Sequence, residues 1–356
     1  MAAPLAAPLT KLAYQTFQQG KSYFGLAHKT LSSQLLTLLD PPRDRPANRL
    51  TPELLLKIQQ RLNQLLETDW RDAEQGVYPE SLLFDNPWED FFRYYPALWL
   101  DMPQIWGRAN QKRYQEFSTQ IKTEGYPSYY LQNFHHQTDG YLSDMSANLY
   151  DLQVEILFNG TADAMRRRIL APLKRGLEGL EQTPPHQIRV LDVACGTGRT
   201  LRLVRGMLPE ASLFGIDLSP AYLRKANQLL SQNPGDLPQL LQANAEELPY
   251  LDNYFHAVTC VFLFHELPPA VRQRVIEQAF RVTQPGGVFV IADSIQISDS
   301  PELTPIMEGF SETFHEPYYR HYTTDDMVAR LEQAGFVGIT SEVHFMSKYW
   351  VARKPA

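Results

Sequence analysis

Apolar residues recur every three or four positions through the first half of the chain, and from Ile188 onward short apolar runs alternate with stretches of that helical spacing. Over 11–39, Leu26, Leu31, Leu35, Leu36 and Leu39 mark a helix that stops at Asp40-Pro41-Pro42, a linker. Thr51-Pro52 places a capping hydroxyl and then a proline at the first helical position, and Leu55, Ile58, Leu62, Leu65 and Leu66 continue a second helix. Ser143 caps a third, carried by Met145, Leu149, Leu152, Ile156 and Leu157 and closed by Asn159-Gly160. A fourth runs from Ala162 to about Leu177 with Met165, Ile169, Leu170 and Leu173 on one face. Arg166, Arg167 and Arg168 are expected to point mostly outward, as a solvated face rather than an anion site.

The rhythm changes at Ile188, Val190, Leu191 and Val193, an apolar strand that breaks into a loop with Gly196 and Gly198 and resumes as a helix through Leu201, Leu203, Val204 and Met207. Further strands are predicted at 211–216, closed by Asp217, at 240–243, at 255–262, and at 288–292 after the turn Pro285-Gly286-Gly287. Helices separate them, one from Ser219-Pro220 through Leu223, Ala226 and Leu230, another through Val271, Val275, Ile276, Ala279 and Phe280. Thr323 with Asp326 predicts a capping box for a last helix through Met327, Val328 and Leu331, which Gly335 closes. Strands near 338–343 and 345–352 are close enough for a hairpin. Seven strands in this alternation imply an α/β fold whose sheet is mostly parallel with an antiparallel last strand. The expected organisation is an α-helical, aromatic-rich region over 1–140 and an α/β domain over 141–356.

At 356 residues the chain accommodates one such domain and an appended region, and 44% hydrophobic content supplies the core. A net charge of -7 draws the protein to no phosphate backbone, which speaks against nucleic acid as partner. Cys195 and Cys260, without CxxC or histidine-rich company, imply a reducing compartment and neither a disulfide framework nor structural zinc. Met1 to Thr10 lacks a basic start, Pro4 and Pro8 break its apolar residues, and no run spans a bilayer. The expectation is a cytoplasmic protein, with peripheral membrane contact left open.

From Leu82 to Tyr114 the composition turns aromatic, with Phe84, Trp88, Phe91, Phe92, Tyr94, Tyr95, Trp99 and Trp106 interrupted by Pro96 and Pro103. Such a stretch packs a small helical core or walls a planar substrate. The loop from Tyr126 to Ser143 carries His135, His136, Gln137, Thr138, Asp139 and Tyr141, polar side chains that packing alone seldom requires, and is read as facing a ligand. Adjacent histidines lack the helical two-ligand spacing, so no metal is expected there.

The glycine loop excludes two common ligands. A phosphate-binding P-loop needs Lys-Ser or Lys-Thr after its glycines, and none follows Gly198. A dinucleotide fingerprint needs a third small residue where Leu201 stands. What remains is an acid at the strand end, Asp192, small residues at Ala194, Gly196 and Gly198, and a second acid, Asp217, about twenty residues on, where an acid grips ribose hydroxyls. These suit a ligand joining an amino-acid end to an adenosine. Loop N–H groups meet the carboxylate, Asp192 helps hold the ammonium, and Asp217 takes the ribose; Leu218 covers the adenine, and Asn244 with the Ala245 N–H meets its edge.

In this order and spacing, Asp192-x-Ala194-x-Gly196-x-Gly198, Asp217, Asn244-Ala245-Glu246-x-Leu248-Pro249 and Arg281-Val-Thr-Gln-Pro-Gly-Gly287 resemble the class I S-adenosylmethionine-dependent methyltransferases over roughly Leu142 to the C-terminus. Ala194 replaces a common glycine, and Asn244 replaces the Asp that commonly meets the adenine amine. The stretch from His136 to Arg168, with Gln137-Thr-Asp-Gly140 and Asn159-Gly-Thr-Ala-Asp-Ala-Met-Arg166, also resembles a group of methyltransferases of cyanobacteria and plastids. The resemblance implies a Rossmann-like seven-stranded methyltransferase sheet, S-adenosyl-L-methionine as cofactor, and a small-molecule methyl acceptor.

After the fourth strand the chain reads Val261-Phe262-Leu263-Phe264-His265-Glu266-Leu267-Pro268, where relatives acting on DNA or protein amines tend to carry Asn/Asp-Pro-Pro-Tyr. An apolar wall including Phe262, with one histidine, suits an apolar or aromatic acceptor methylated at oxygen or carbon. His265 is similar in position to the general base of plant-type small-molecule O-methyltransferases and is the candidate catalytic residue. His315, Glu316, Tyr318 and Tyr319, in the insertion after strand five, are expected to form a lid over the acceptor with His135, His136 and Tyr141, the aromatic rings facing the sulfonium. Two alternatives remain, another alkyl transferase on the same scaffold and a non-catalytic cofactor-binding module acting through a protein partner. Acidic residues beside strand four would favour a polyamine-type transferase.

Overall fold

The computed structural model describes residues 6–39, 51–232 and 235–356; the linker expected at Asp40-Pro41-Pro42 and the start of the N-terminal segment lie outside the described residues. Helices α1 (Ala6–Leu39), α2 (Pro52–Glu74) and α3 (Trp88–Gln111) precede α4 (Asp144–Leu157), α5 (Ala162–Arg167) and α6 (Leu170–Gly176). Then β1 (Arg189–Val193), α7 (Arg199–Met207), β2 (Ser212–Asp217), α8 (Pro220–Leu230), β3 (Gln239–Gln242), β4 (Phe255–Val261), α9 (Pro269–Val282) and β5 (Thr283–Ser294) alternate. After α10 (Thr304–Thr313), α11 (Tyr319–Tyr322) and α12 (Met327–Ala334), β6 (Val337–His344) and β7 (Ser347–Arg353) close the chain.

The seven strands form one sheet in the order β3-β2-β1-β4-β5-β7-β6. All neighbours pair in parallel except β7, which runs antiparallel to both β5 and β6. Period-2 alternation sorts the central strands between two cores: Val190, Val288 and Val290 pack under α6 and α7, and Leu191, Phe289 and Ile291 under α9 and α12. Burial on both faces explains why these strands read as unbroken apolar runs.

Three helix starts are where their caps place them. Thr51 accepts from the Leu54 N–H, Ser143 from Ser146 and Ser219 from Tyr222. Asp326 accepts from the Ala329 N–H and caps α12 alone, whereas the expected partner Thr323 donates its hydroxyl to the Arg320 carbonyl.

Helix α1 exists as expected but buries another face. Leu26, Leu31 and Leu35 are exposed, while Tyr14, Gln18, Lys21 and His28 are buried. Three of these four polar tips have partners among the described residues, Gln18 being the exception: the Tyr14 hydroxyl donates to Asp69 at 2.5 Å, Lys21 Nζ lies 3.3 Å from Glu155, and His28 Nδ1 lies 3.2 Å from the Tyr95 hydroxyl. Helix α3 runs through Pro96 and Pro103 without a break. Its Phe91 and Leu98 pack on Leu149, Leu152 and Ile156 of α4, so part of the aromatic stretch serves as core, while Trp88 and Phe92 are exposed.

The arginine triplet is the largest departure from the sequence reading. Arg166, Arg167 and Arg168 are all buried, and the helix expected from Ala162 to Leu177 divides beside them into α5 and α6. Arg167 grips Asp69 with Nη2 at 2.6 Å and Nε at 3.0 Å, and the Tyr78 hydroxyl donates to the same carboxylate at 2.6 Å. Arg168 pairs with Asp72, and Arg166 with Asp163 at 2.8 Å. Burial of a guanidinium is tolerable only with a carboxylate beside it, and α2 supplies two of the three. The core beneath β1 is accordingly shared: Trp70, Tyr78 and Leu83 belong to one apolar cluster with Val190, Leu203 and Val204.

Candidate active site

The C-terminal ends of β1, β2 and β4 open on a cleft, the crevice position in which open α/β sheets bind ligands. Ala194, Gly196, Asp217, Leu218, Asn244, Ala245 and Phe262 all line it. Ala194 (φ 56°) and Phe262 (φ 58°) are non-glycine residues in the left-handed region at the ends of neighbouring strands. That conformation costs roughly 1–2 kcal/mol per residue and collects at functional sites.

The two glycines of the loop do different work. A Cβ on Gly196 (φ +53°) would meet nothing nearer than the Tyr222 ring at 4.0 Å, so its free face fronts the cleft. A Cβ on Gly198 (φ +82°) would lie 3.1 Å from Ala226 and from Leu230, so Gly198 lets α7 pack on α8 and does not line the cleft. Asp217 accepts from the Gly196 N–H at 2.9 Å and the Ser219 N–H at 2.8 Å. Burial pushes its carboxyl up to about 6. Asp192 lies just behind the lining, accepts from the Thr259 hydroxyl at 2.7 Å, and is pushed by burial up to about 7. Asn244 is folded back on its own loop, its Oδ1 accepting from the Glu246 N–H at 2.9 Å.

Over the cleft sits the Tyr126–Tyr141 loop. Tyr129, Tyr130, Phe134 and Tyr141 line the cleft with Tyr150 of α4 and Tyr222 of α8. Apart from Tyr141 these rings are absent from the sequence-based site; the clustering of Tyr126, Tyr129 and Tyr130 in one loop was the available signal. The remaining histidine expectations separate. His135 points to Glu316, its Nε2 2.7 Å from Oε1. His136 and His315 lie outside the cleft because they pack against Tyr114, His315 stacked on its ring with centroids 3.8 Å apart and His136 tilted to it. His136 Nε2 is also held by the Thr313 carbonyl at 3.1 Å and His315 Nε2 by Gln132 Oε1 at 3.1 Å. Tyr318 is outside the lining too, its backbone carbonyl taken by Arg272.

His265 is buried behind the cleft wall, with Nδ1 2.6 Å from Asp293 Oδ1. Desolvation would lower its pKa, but the Asp293 charge and hydrogen bond prevail and raise it to about 10. The residue facing the cleft is its neighbour Glu266. Glu266 accepts from the Tyr141 hydroxyl at 2.6 Å and lies 3.9 Å from His265 Nε2. Burial first, and then the nearby Glu316 carboxylate, push it up to about 7. Asp293 also accepts from the Phe264 N–H at 2.7 Å and so fixes the turn carrying both residues.

A methyltransferase-domain family matches residues 190–287. The chain is similar to a demethylmenaquinone methyltransferase of Geobacillus stearothermophilus, 30% identical over 128 residues, 36% of this chain and 50% of that one. A ubiquinone/menaquinone biosynthesis C-methyltransferase of Methylobacterium nodulans is 26% identical over 212 residues, covering 54% and 81%. The match thus spans half the length of the first relative and about four fifths of the second. An uncharacterized methyltransferase of Synechocystis is 32% identical over 171 residues, 47% of this chain and 74% of its own. The chain belongs to the class I S-adenosylmethionine-dependent methyltransferases.

The residues of this methyltransferase fit that cofactor. The open face of Gly196 leaves room for a ligand against the loop, and the half-buried Asp217 carboxylate, met by the N–H groups of Gly196 and Ser219, retains capacity for further donors.

Proposed function

We propose that this methyltransferase transfers the methyl group of S-adenosylmethionine to a small aromatic acceptor bearing a hydroxyl, at oxygen or at ring carbon. When bound, the cofactor supplies a sulfonium methyl; in-line displacement leaves the bonding pair on sulfur, and the acceptor loses one proton. Asp217 takes the ribose hydroxyls, Leu218 covers the adenine, and the Ala245 N–H meets its edge. Asn244 contributes through the loop it folds, because its carbonyl oxygen already serves Glu246. Asp192, behind Gly196, balances the ammonium.

The observation that carries the acceptor class is a carboxylate in an aromatic enclosure: Glu266, fixed by Tyr141, ends a cleft walled by Phe134, Tyr150, Tyr222 and Phe262. The rings align a planar acceptor and exclude water, and Glu266 receives its hydroxyl proton. His265 is a positioning residue, held by Asp293 behind Glu266. The names of the quinone-type relatives support the same class. A second reading has one observation in its favour. Glu266, in the turn after β4, has the Glu316 carboxylate within 4.8 Å, an acidic pair of the kind a polyamine acceptor would require.

Radiolabelled cofactor incubated with fractionated small-molecule extract separates the two. Label in an apolar phenol or quinol is expected. Label in a cationic amine would establish the second reading, and no label despite cofactor binding would leave a non-catalytic module. Glu266→Gln is expected to keep cofactor affinity and lower turnover about 100-fold.

A further inference from the structure

Behind Glu266, at the edge of the cleft, lies a group of side chains in which hydrogen bonding does not account for Glu316. His135, Glu266 and Glu316 come from three separate segments, the loop over the cleft, the turn after β4 and the segment after α10. One potential ligand atom from each lies within 4.8 Å of the others. The Glu316 side chain is fully buried, and neither carboxylate oxygen accepts a hydrogen bond. His135 Nε2, at 2.7 Å, is a close approach of two ligand atoms rather than an aligned bond. A buried carboxylate without hydrogen bonds is costly, and a second carboxylate beside it adds repulsion.

We propose that His135, Glu266 and Glu316 bind a divalent transition-metal ion at the acceptor end of the cleft. Two carboxylates and a neutral imidazole balance a doubly charged cation, which removes the repulsion and offsets the buried Glu316 charge that no hydrogen bond among the described residues offsets. One nitrogen and two oxygen donors suit Mn2+ or Fe2+ better than the oxygen-only preference of Mg2+ or Ca2+. The Tyr141 hydroxyl, bonded to Glu266 at 2.6 Å, orients that ligand from behind. Three protein donors leave positions open on an octahedral ion for water and for a hydroxyl of the acceptor. The cation lowers the pKa of that hydroxyl; with the ion bound, Glu266 serves as its ligand and the proton leaves to water instead of to Glu266, so the oxygen enters the displacement charged. The adjacency of His135 and His136 hides this arrangement in the sequence, because only His135 takes part and its partners lie more than a hundred residues away.

This rests on the proposed acceptor reading, and the test keeps the two apart. Full-length protein stripped by chelator is titrated with MnCl2, and free Mn2+ is read by EPR. One ion bound per chain is expected, with nitrogen modulation from a coordinated imidazole. Glu316→Gln is expected to weaken binding by about 10- to 100-fold or more, and His135→Gln to remove the nitrogen modulation. Glu312→Gln, on an exposed side chain, is expected to change nothing. Calorimetry with S-adenosylmethionine and a thermal melt on each variant report folding; if Glu316→Gln does not fold, His135→Gln decides alone. Absence of Mn2+ binding in the parent, or binding undiminished in the folded variants, overturns the metal site. Cofactor binding and methylation without Mn2+ binding overturn this inference alone, whereas Mn2+ binding with no methylated product counts against the acceptor reading alone.

Discussion

The two acids proposed to hold the cofactor carry a consequence for pH. Asp217 and Asp192 are raised, to about 6 and about 7, by burial. The folded protein without ligand therefore holds more protons than the unfolded chain between about pH 4 and 7. These groups lower its stability as pH rises through that window, and the loss is complete above about 7. A ligand that needs both carboxylates charged behaves oppositely. Affinity for S-adenosylmethionine is expected to fall as pH drops below about 7, approaching about tenfold per unit below 6 from Asp217 alone. Calorimetric titration from pH 5 to 8.5 checks this, and a flat profile would exclude either acid as a contact. Asp217→Asn keeps an oxygen for the N–H groups of Gly196 and Ser219 but loses the charge. It is expected to bind about 10- to 100-fold more weakly at pH 8 and to lose the part of the profile centred near 6. Asp217 was legible because its spacing from the glycine loop is local. Glu266 stood beside His265 in the sequence, but which of the pair faces the cleft follows from the turn that Asp293 fixes, and Asp293 ends a different strand.

At the level of elements, what could be read was what neighbours in sequence decide. The caps Thr51, Ser143 and Ser219 act within three residues and start their helices as expected. Which face a helix buries is decided elsewhere. The leucines of α1 form the more apolar stripe, yet Tyr14, Lys21 and His28 go inward because Asp69, Glu155 and Tyr95 await them. The arginine triplet followed the same rule, with Asp69 lying 98 positions from Arg167. Asp69 takes Arg167, Tyr14 and Tyr78 at once and so pins α1, α2 and α5 together. Asp69→Ala leaves a buried guanidinium without its carboxylate and is expected to cost about 3–5 kcal/mol, read as a lowered urea midpoint. A loss below about 1 kcal/mol would show that these helices are not held through Asp69.

For the whole molecule, the seven strands and the parallel-to-antiparallel change were legible because strand runs and turns are short-range signals, whereas the relation between the two halves was not. A division near 140 follows the change in composition, but the structural ties cross it. Arg199 and Arg202, at the start of the helix after the glycine loop, pair with Asp85, the latter at 2.7 Å. Gly206 of that helix lies against the Leu82 side chain, and Arg167 Nη1 donates to the Leu82 carbonyl at 3.1 Å. A chain of residues 141–356 alone would expose the apolar faces of Leu173, Leu203 and Val204 and leave Arg167 and Arg168 without their carboxylates. Since buried charges stripped of partners cost several kcal/mol each and whole domains are stable by only about 5–15 kcal/mol, that fragment is expected to aggregate or to melt without cooperativity. Expression of 141–356 followed by a thermal melt and cofactor calorimetry tests this. A soluble fragment with a cooperative melt and the affinity of the full chain would mean that the helical region is an independent unit and that its ion pairs contribute nothing to the glycine loop.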